Sequence, residues 1–226
     1  MRFDVKSQVS DAALVERRRG QIVSAAVALF SEQGYYRTTI QDVARKAGVS
    51  TGLIYQYVQD KEDILFLALI RVLESYRQEI PAALEGVTDP LMRLWAALNA
   101  YCRIVDGHRA ETVLAYRSTK SLPKERREHV KATEIETNNL IAECVRACVD
   151  AGLFRPVNIP LVIYHFVMFA HTRALKHWFL QDISSLDEYI AQGFEFLTAA
   201  LLTPAGRRHR DKLFPDLVSG KIGAPT

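Results

Sequence analysis

The feature that most constrains this chain is the segment Thr39–Tyr57, which has the spacing of two short helices joined at a glycine. Counted from Ile40 as the first position, Ala44 falls fifth, Gly48 ninth and Ile54 fifteenth. Helices that cross steeply at short range need a small residue where their backbones approach and a glycine where the turn takes a positive φ. The spacing therefore predicts a helix-turn-helix. The apolar residues that would fill its angle are Ile40, Val43, Val49 and Ile54.

Helical periodicity continues through nearly all of the chain, and no stretch shows the alternation of a strand. Serine, threonine and aspartate at helix starts, and glycine or proline at their ends, mark the boundaries. The predicted helices span about 17–33, 40–46, a third after Ser50, 61–81, 90–106, 110–122, 123–150, 160–181 and 185–202. The fold class predicted is all-α.

The pattern divides into three segments. Residues 13–60 form a three-helix module with the helix-turn-helix, and residues 61–204 form a larger helical body joined to it through a continuous fourth helix. Residues 205–226 are basic and rich in glycine and proline, so we expect a weakly ordered tail. Residues 1–12 are polar, and we expect them to be loose as well.

Composition limits the class of protein. The chain has 226 residues, 49% of them apolar and 24% charged, which is ordinary for a soluble protein. Charged residues follow Met1 at once, and no apolar run reaches membrane-spanning length, so we expect neither a signal peptide nor a membrane partner. An odd count of three cysteines indicates a reducing compartment and a cytoplasmic protein.

Positive charge is concentrated at the two ends of the chain. Residues 1–61 and 204–226 each carry a balance of +3, whereas residues 62–203 carry −3. A basic region beside a helix-turn-helix favours contact with phosphates. The alternative is a chance fluctuation in short segments, and charge alone does not decide between them.

Further residues at fixed spacings surround the helix-turn-helix. They are Ala25-Ala-x-x-Leu-Phe30, Gly34-Tyr, Thr38-Thr39-Ile-x-x-Val-Ala44, Ala47-Gly48-Val-Ser50, Gly52-x-Ile-Tyr55, Tyr57 and Lys61-Glu62-x-x-Leu65. This set, over about residues 17–66, resembles the TetR family of bacterial transcriptional regulators. Val58 departs from the family's usual phenylalanine. The resemblance implies a homodimer that binds a palindromic operator in double-stranded DNA, usually as a repressor, and a small molecule that binds the larger domain.

The residue types at the helix-turn-helix agree with DNA contact. A helix N-terminus near Thr39 can hold a phosphate, and Gln56 and Thr51 suit base edges in the major groove. Gly52 would let the helix approach the duplex. The predicted DNA-binding residues are Arg18, Thr39, Ser50, Thr51, Gly52, Tyr55, Gln56, Tyr57 and Lys61. Tyr55 also suits packing in the core, and the run Arg17–Arg19, which includes Arg18, also suits a solvated charge cluster.

The larger body has to enclose a cavity and form the dimer. Residues 160–180 are apolar around much of the circumference of their predicted helix, and the predicted helix over 185–202 carries a broad apolar surface. These two helices are expected to pair with the same two helices of a second copy, related by two-fold symmetry. The effector is expected to be lipophilic: a fatty acyl-CoA, an aromatic compound or a drug-like molecule. Its candidate contacts are Trp95, Tyr101, Tyr116, Asn138, Asn139, His165 and His171. For each of them, core packing or surface exposure is the alternative.

The sequence carries no motif for other chemistry. Cys144 and Cys148 lie four residues apart with no further metal ligands in spacing, and no phosphate-binding loop, dinucleotide fingerprint or nucleophile elbow occurs. We therefore expect no cofactor, no metal, no catalytic residue and no enzyme activity. The alternatives left open are a helical lipid-binding carrier or enzyme that uses the cavity of the larger domain, and a DNA-bound structural protein without a ligand.

Overall fold

A computed structural model describes residues 5–215 of the chain. The helices are α1 (Ala12–Gln33), α2 (Ile40–Ala47), α3 (Thr51–Ile54), α4 (Lys61–Ala83), α5 (Pro90–Gly107), α6 (Arg109–Ser118), α7 (Lys124–Asp150), α8 (Ile159–Leu175), α9 (His177–Ile183), α10 (Leu186–Ala199) and α11 (Pro204–Leu213), with a 3-10 turn at Thr119–Ser121. Within the described residues, the β pairing consists of one isolated bridge, Phe154 with Leu202. The all-α prediction is confirmed.

The helix-turn-helix forms as its spacing predicts. Gly48 has a φ of 68° in the left-handed region, and its N–H reaches the carbonyls of Ala44 and Arg45. Ala44 and Ile54 are buried at the crossing. Because an L-residue with a side chain is strained at that φ, the glycine fixes the turn between α2 and α3.

One compact unit comprises the described residues up to Glu74 together with His108–Thr133. Its α1 packs against α2 and also against α6, which comes much later in the chain. Arg126 of α7 pairs with Asp63 at the start of α4 and lies 5.4 Å from the ring centre of Phe66. These contacts explain why α6 and the start of α7 belong to the same unit as the helix-turn-helix. The two units therefore differ from a simple division of the chain near residue 60.

The second unit comprises Ser75–Gly107 and the described residues from Glu134 onward. Its central helix is α5, which packs against α8 and α10 and buries Leu94, Leu98 and Tyr101. The helices α8 and α10 approach closely at Gly193, where a Cβ atom would lie 1.8 Å from the Phe169 ring. Among the described residues, no helix has both the length and the apolar character needed to cross a membrane.

The prediction of a weakly ordered tail is wrong for residues 205–213, which belong to the helix α11 (Pro204–Leu213). Thr203 caps this helix, and Phe214 at its end is buried against Trp95 and Phe194. His209 Nε2 lies 2.6 Å from Asp89 Oδ2. One aromatic anchor and one polar contact thus order a segment whose composition indicates a loop. Residues 216–226 of the predicted tail lie outside the described residues.

The predicted helix over 160–181 is in fact two helices. The chain breaks at Lys176, whose φ of −120° and ψ of 24° are not helical, between α8 and α9. The buried Arg173 side chain donates to the carbonyl oxygens of Leu180 and Ser184, 3.0 and 3.2 Å away. These bonds satisfy backbone acceptors at the end of α9 and stabilise the break.

Candidate DNA-binding interface

The N-terminus of α2 is closed by a capping box. Thr39 Oγ1 accepts from the Asp42 N–H at 3.1 Å, and Asp42 Oδ2 accepts from the Thr39 N–H at 3.1 Å and from its hydroxyl at 2.7 Å. The bonds from Thr39 hold the pKa of Asp42 below its usual range. Thr39 is exposed, but its hydroxyl is already used in the cap, so its predicted DNA contact stays a prediction.

The helix α3 presents a polar outer face. Ser50 caps it by accepting from the Leu53 N–H at 3.1 Å, and a turn carries the chain on to Tyr57. Ile54 is fully buried and fixes the inner face, whereas Ser50, Gly52 and Gln56 are exposed and Thr51 is half-buried. Tyr55 is 45% exposed, so its side chain is open to solvent. The structure therefore brings these five predicted residues to one short stretch of exposed surface.

Gly52 is not required by the packing of the chain itself. A Cβ atom at this position would meet nothing within 4 Å, and the φ of Gly52 lies outside the left-handed region. Neither crowding nor backbone strain within the protein therefore explains a glycine here. An external surface that approaches α3 closely would explain it.

Tyr57 does not belong to the exposed face, which corrects the prediction that its hydroxyl contacts DNA. It is 3% exposed, and the next residue, Val58, is fully buried. Its carbonyl accepts from Arg19 Nε at 3.0 Å. The chain turns inward after Gln56, so Tyr57 and Val58 fill the core of the first unit. The sequence pattern alone does not distinguish an outward tyrosine from an inward one.

Lys61 also differs from its predicted role as a phosphate clamp. Its Nζ donates to the carbonyl oxygens of Tyr35, Thr38 and Tyr36 at 2.9, 3.0 and 3.5 Å. The ammonium group also lies 4.4 Å from the ring centre of Tyr35. An ammonium group has three donors, and all three have acceptors here. Lys61 therefore holds the loop that leads into α2.

Arg18 and Arg19, which lie inside α1, have separate partners. Arg18 Nη1 donates to Gln21 Oε1 at 2.9 Å, and Gln21 Nε2 donates to the Ala47 carbonyl at the end of α2 at 2.7 Å. Arg18 is half-buried and held near the helix-turn-helix, so its predicted phosphate contact stays a prediction. Arg19 instead bonds to backbone carbonyls, those of Val5 and Tyr57. No motif in the sequence marks Gln21, because its side chain only bridges two helices.

Three of the predicted effector contacts meet inside the second unit. The Tyr101 hydroxyl lies 3.2 Å from His171 Nε2 and 3.5 Å from Asn138 Oδ1, and the Tyr101 ring stacks on Tyr76 at 4.2 Å between centres. All four side chains are buried. We call this set (Tyr76, Tyr101, Asn138 and His171) the buried polar cluster.

The buried polar cluster contains an unsatisfied donor. Asn138 Nδ2 is buried and has no hydrogen-bond partner. Leaving a buried amide donor unpaired costs about 1–3 kcal/mol. Burial lowers the pKa of His171 to about 4, so its imidazole is neutral at physiological pH. The cluster thus offers an uncharged surface with one N–H group free to donate.

The other four predicted effector contacts lie elsewhere. Trp95 is buried against Phe194, 5.1 Å between ring centres, and lines a groove of about 410 Å³ between α4 and α5. Asn139, His165 and Tyr116 are exposed, and Tyr116 belongs to the first unit, so the prediction that these three face inward is wrong. Asn139 follows Asn138 by one helical position, which is about 100° around α7 and enough to turn it outward.

The cysteines and acidic residues show no arrangement for metal chemistry. Within the described part of the chain, no group of three or more histidine, cysteine, aspartate or glutamate side chains could hold a metal ion. Cys102, Cys144 and Cys148 are buried, and burial raises the pKa of Cys144 to about 11 and of Cys148 to about 12. Such thiols stay protonated, so they act as small apolar core residues.

A three-helix module with an exposed second helix of a helix-turn-helix, followed by a wholly helical second unit, defines a class of DNA-binding regulators. Residues 22–68 match the family profile described as "Bacterial regulatory proteins, tetR family". Residues 87–194 match the profile described as "Tetracyclin repressor-like, C-terminal domain". The chain belongs to the TetR family of bacterial transcriptional regulators.

Individual relatives agree with the family. The HTH-type transcriptional regulator HbdR of Aromatoleum sp. (strain CIB) is 53% identical over 222 residues, covering 98% of this chain and 96% of its own. The HTH-type transcriptional repressor KstR2 of Mycobacterium tuberculosis (strain ATCC 25618 / H37Rv) is 24% identical over 157 residues, covering 69% of this chain and 78% of its own. These relatives are regulators of transcription.

Solved structures share the fold. A tetR family regulatory protein from Rhodococcus RHA1 has a TM-score of 0.74 at 22% identity, covering 81% of this chain and 96% of its own. AibR, solved in complex with isovaleryl coenzyme A and operator DNA, has a TM-score of 0.68 at 22% identity, covering 80% of this chain and 97% of its own. The two-part helical architecture is therefore that of known TetR-family proteins.

Proposed function

We propose that this protein is a homodimeric repressor that binds a palindromic operator and leaves it when a small lipophilic effector binds. The observation that carries the proposal is the polar outer face of α3, with Ser50 and Gln56 exposed and Thr51 half-buried around a glycine that the fold does not need. The chromosome of a bacterium lies in the cytoplasm, and the protein acts there.

The residues of the proposed interface have roles that their chemistry supports. The Gln56 amide pairs with adenine, and the Thr51 hydroxyl serves either a donor or an acceptor on a base edge. Tyr55 and Arg18 contact phosphates, and Gly52 lets the backbone of α3 approach the groove. Thr39 positions α2, because its hydroxyl is used in the capping box.

The DNA-binding proposal is tested with duplexes that the intact protein selects from a randomised library. We expect a two-fold symmetric consensus, because two copies of α3 read two half-sites. The affinity for that duplex should fall steeply between 50 and 200 mM salt, since phosphate contacts release counterions. Selection of no sequence above background would refute the proposal.

Dimer formation is supported by apolar side chains left exposed on α8 and α10. Leu161, Tyr164 and Met168 follow each other at three- and four-residue spacing on α8, and Phe196 of α10 is 78% exposed. The two helices are joined within the chain, since the Tyr189 hydroxyl donates to the Phe169 carbonyl at 2.6 Å. Exposed apolar stripes on neighbouring helices are typical of a surface that pairs with a second copy.

The effector proposed is an acyl compound, with a fatty acyl-CoA as the leading candidate. The buried polar cluster has an N–H to donate and no charge of its own at neutral pH, and Glu134, one helical turn before Asn138, has its pKa raised by burial. A free carboxylate bound at the buried polar cluster would lose its hydration close to Glu134, which is unfavourable. An uncharged acyl carbonyl would instead accept a hydrogen bond from Asn138.

The effector proposal is tested by thermal shift with a series of acyl-CoAs and the matching free acids. Acyl-CoAs of a preferred chain length should raise the melting temperature and release the selected duplex, and the free acids should do neither. Asn138→Leu keeps a similar volume and removes the donor, so it should weaken this response. Absence of stabilisation by acyl-CoAs of any length would remove the acyl-CoA proposal but leave DNA binding intact.

A further inference from the structure

The residues before α1 are hydrogen-bonded to Gln56, which lies two residues after the end of α3. The N–H of Gln8 donates to the carbonyl of Gln56 at 2.8 Å, and Ser7 Oγ donates to the same carbonyl at 3.1 Å. Gln56 is the exposed residue that ends the polar face of α3. We call Val5–Gln8 the N-terminal arm.

A second attachment holds the other end of the arm. Arg19 Nη2 donates to the Val5 carbonyl, while its Nε donates to the Tyr57 carbonyl at 3.0 Å. The Val5 side chain is buried. One guanidinium group therefore joins the arm to the residue that follows Gln56. The expectation of a loose start to the chain is wrong for these residues, because one backbone and two side-chain hydrogen bonds join them to distant positions.

Lys6 lies between the two attachments. Val5 is buried, Lys6 is exposed and Ser7 is half-buried, so the arm has an inner side and an outer side. An extended residue adds about 3.3 Å, so Lys6 lies within about two residue lengths of the Gln8–Gln56 bond. The outer side of the arm thus carries a cation next to the place where α3 ends.

We propose that the N-terminal arm is a second DNA-contacting element, in which Lys6 binds the phosphate backbone beside the bases that Gln56 reads. The proposal rests on DNA binding through α3, as proposed above. A lysine next to a reading helix neutralises a phosphate and releases its counterion, whichever bases lie in the groove. The two attachments would keep this contact in register with α3, which a free tail would not do.

The experiment uses the full chain and the duplex that it selects from a randomised library. Lys6→Ala should lower affinity by about threefold or more at 0.15 M salt, equally for the selected duplex and for a scrambled one. The slope of log affinity against log salt should become shallower by about one for each arm engaged. Lys6→Arg should restore both. Gln8→Pro, which removes the N–H donated to Gln56, should reproduce the Lys6→Ala effect.

Lys131→Ala on α7 is the control, because it removes the same charge at another exposed position of the first unit. Thermal unfolding of each variant distinguishes the loss of a DNA contact from a loss of stability caused by a purely structural arm. Unchanged affinity and salt slope in Lys6→Ala, or an affinity loss matched by lost stability with the salt slope unchanged, would overturn the proposal. If either of these outcomes occurs while the wild-type chain still binds the duplex, the proposal of DNA binding by α3 stands. If the intact chain selects no duplex, both proposals fail together.

Discussion

At the scale of single residues, Gln56 and Lys61 are close in the chain but have different surroundings. Gln56 is exposed at the end of α3, whereas Lys61 donates to three carbonyls of the loop before α2. We therefore expect Gln56 to act by pairing directly with a base. We expect Lys61 to act indirectly, by holding the loop before α2 in place.

We expect Gln56→Ala to change preference at one base pair, with about 1–3 kcal/mol of discrimination lost there and little change in stability. Lys61→Ala should weaken binding to all duplexes alike and also lower the melting temperature, because three carbonyls lose their donor. Competition binding against single-substituted duplexes and thermal unfolding check both. Sequence-specific loss in Lys61→Ala with unchanged stability would contradict these roles.

His171 gives the protein a pH-dependent stability. The folded state keeps its imidazole neutral with a pKa of about 4, and the unfolded chain takes up a proton near 6.5. Its contribution to stability is therefore present above pH 6.5 and is lost as pH falls toward 4. The loss at pH 4 is roughly 3 kcal/mol.

Measurement of denaturant unfolding at pH 7 and pH 4.5 checks this prediction. Wild type should lose more stability than His171→Gln over this interval, because the glutamine does not titrate. The comparison with the variant removes the effect of carboxylates that titrate in both proteins. Equal losses in the two proteins would show that His171 is not desolvated.

At the scale of elements, α11 is part of the folded second unit. A Cβ atom on Gly206 would lie 2.0 Å from the Leu153 carbonyl oxygen. That oxygen also accepts from the Thr203 N–H at 2.9 Å, so the backbone there is held and has little freedom to move. The close approach is what lets α11 dock.

Gly206→Ala is expected to destabilise the protein by roughly 1–3 kcal/mol through this overlap. Gly20→Ala is the matched control, because Gly20 lies in α1 and a Cβ atom added to it would meet nothing within 4 Å. This control variant should stabilise the protein by about 0.5–1 kcal/mol. Chemical denaturation of both variants checks the pair. Similar effects in both would mean that α11 is not packed as described.

At the scale of the whole molecule, the proposed palindromic operator would require two copies of the chain. Leu161 on α8 and Phe196 on α10 are exposed and belong to the surface proposed for pairing. We expect Leu161→Glu with Phe196→Glu to give a monomer by light scattering, since burying two charges in an apolar interface is unfavourable. Operator affinity should then fall by about a hundredfold, because the second half-site no longer binds as part of one assembly.

Ile135→Glu is the control for this prediction, because Ile135 is also exposed and apolar but lies on α7. It should remain dimeric with unchanged operator affinity. A wild-type protein that is monomeric at micromolar concentration and still binds the selected duplex tightly would contradict the role assigned to α8 and α10.

Local spacing by itself determined the helix-turn-helix, its cap residues and the exposed polar face of α3. Those features depend on neighbours within one or two turns, such as Gly48 at its positive φ and Ser50 at the start of α3. The same holds for the all-α class, since periodicity is a local property of the chain.

Only the tertiary structure decided which side chains face inward and which distant segments meet. Tyr57 turned into the core, Lys61 became a loop support, and Asn138 and Asn139 took opposite environments one residue apart. The packing of α6 on α1 and the attachment of Gln8 to Gln56 join positions far apart in the chain. Such contacts depend on how whole helices pack, and neither composition nor periodicity records that.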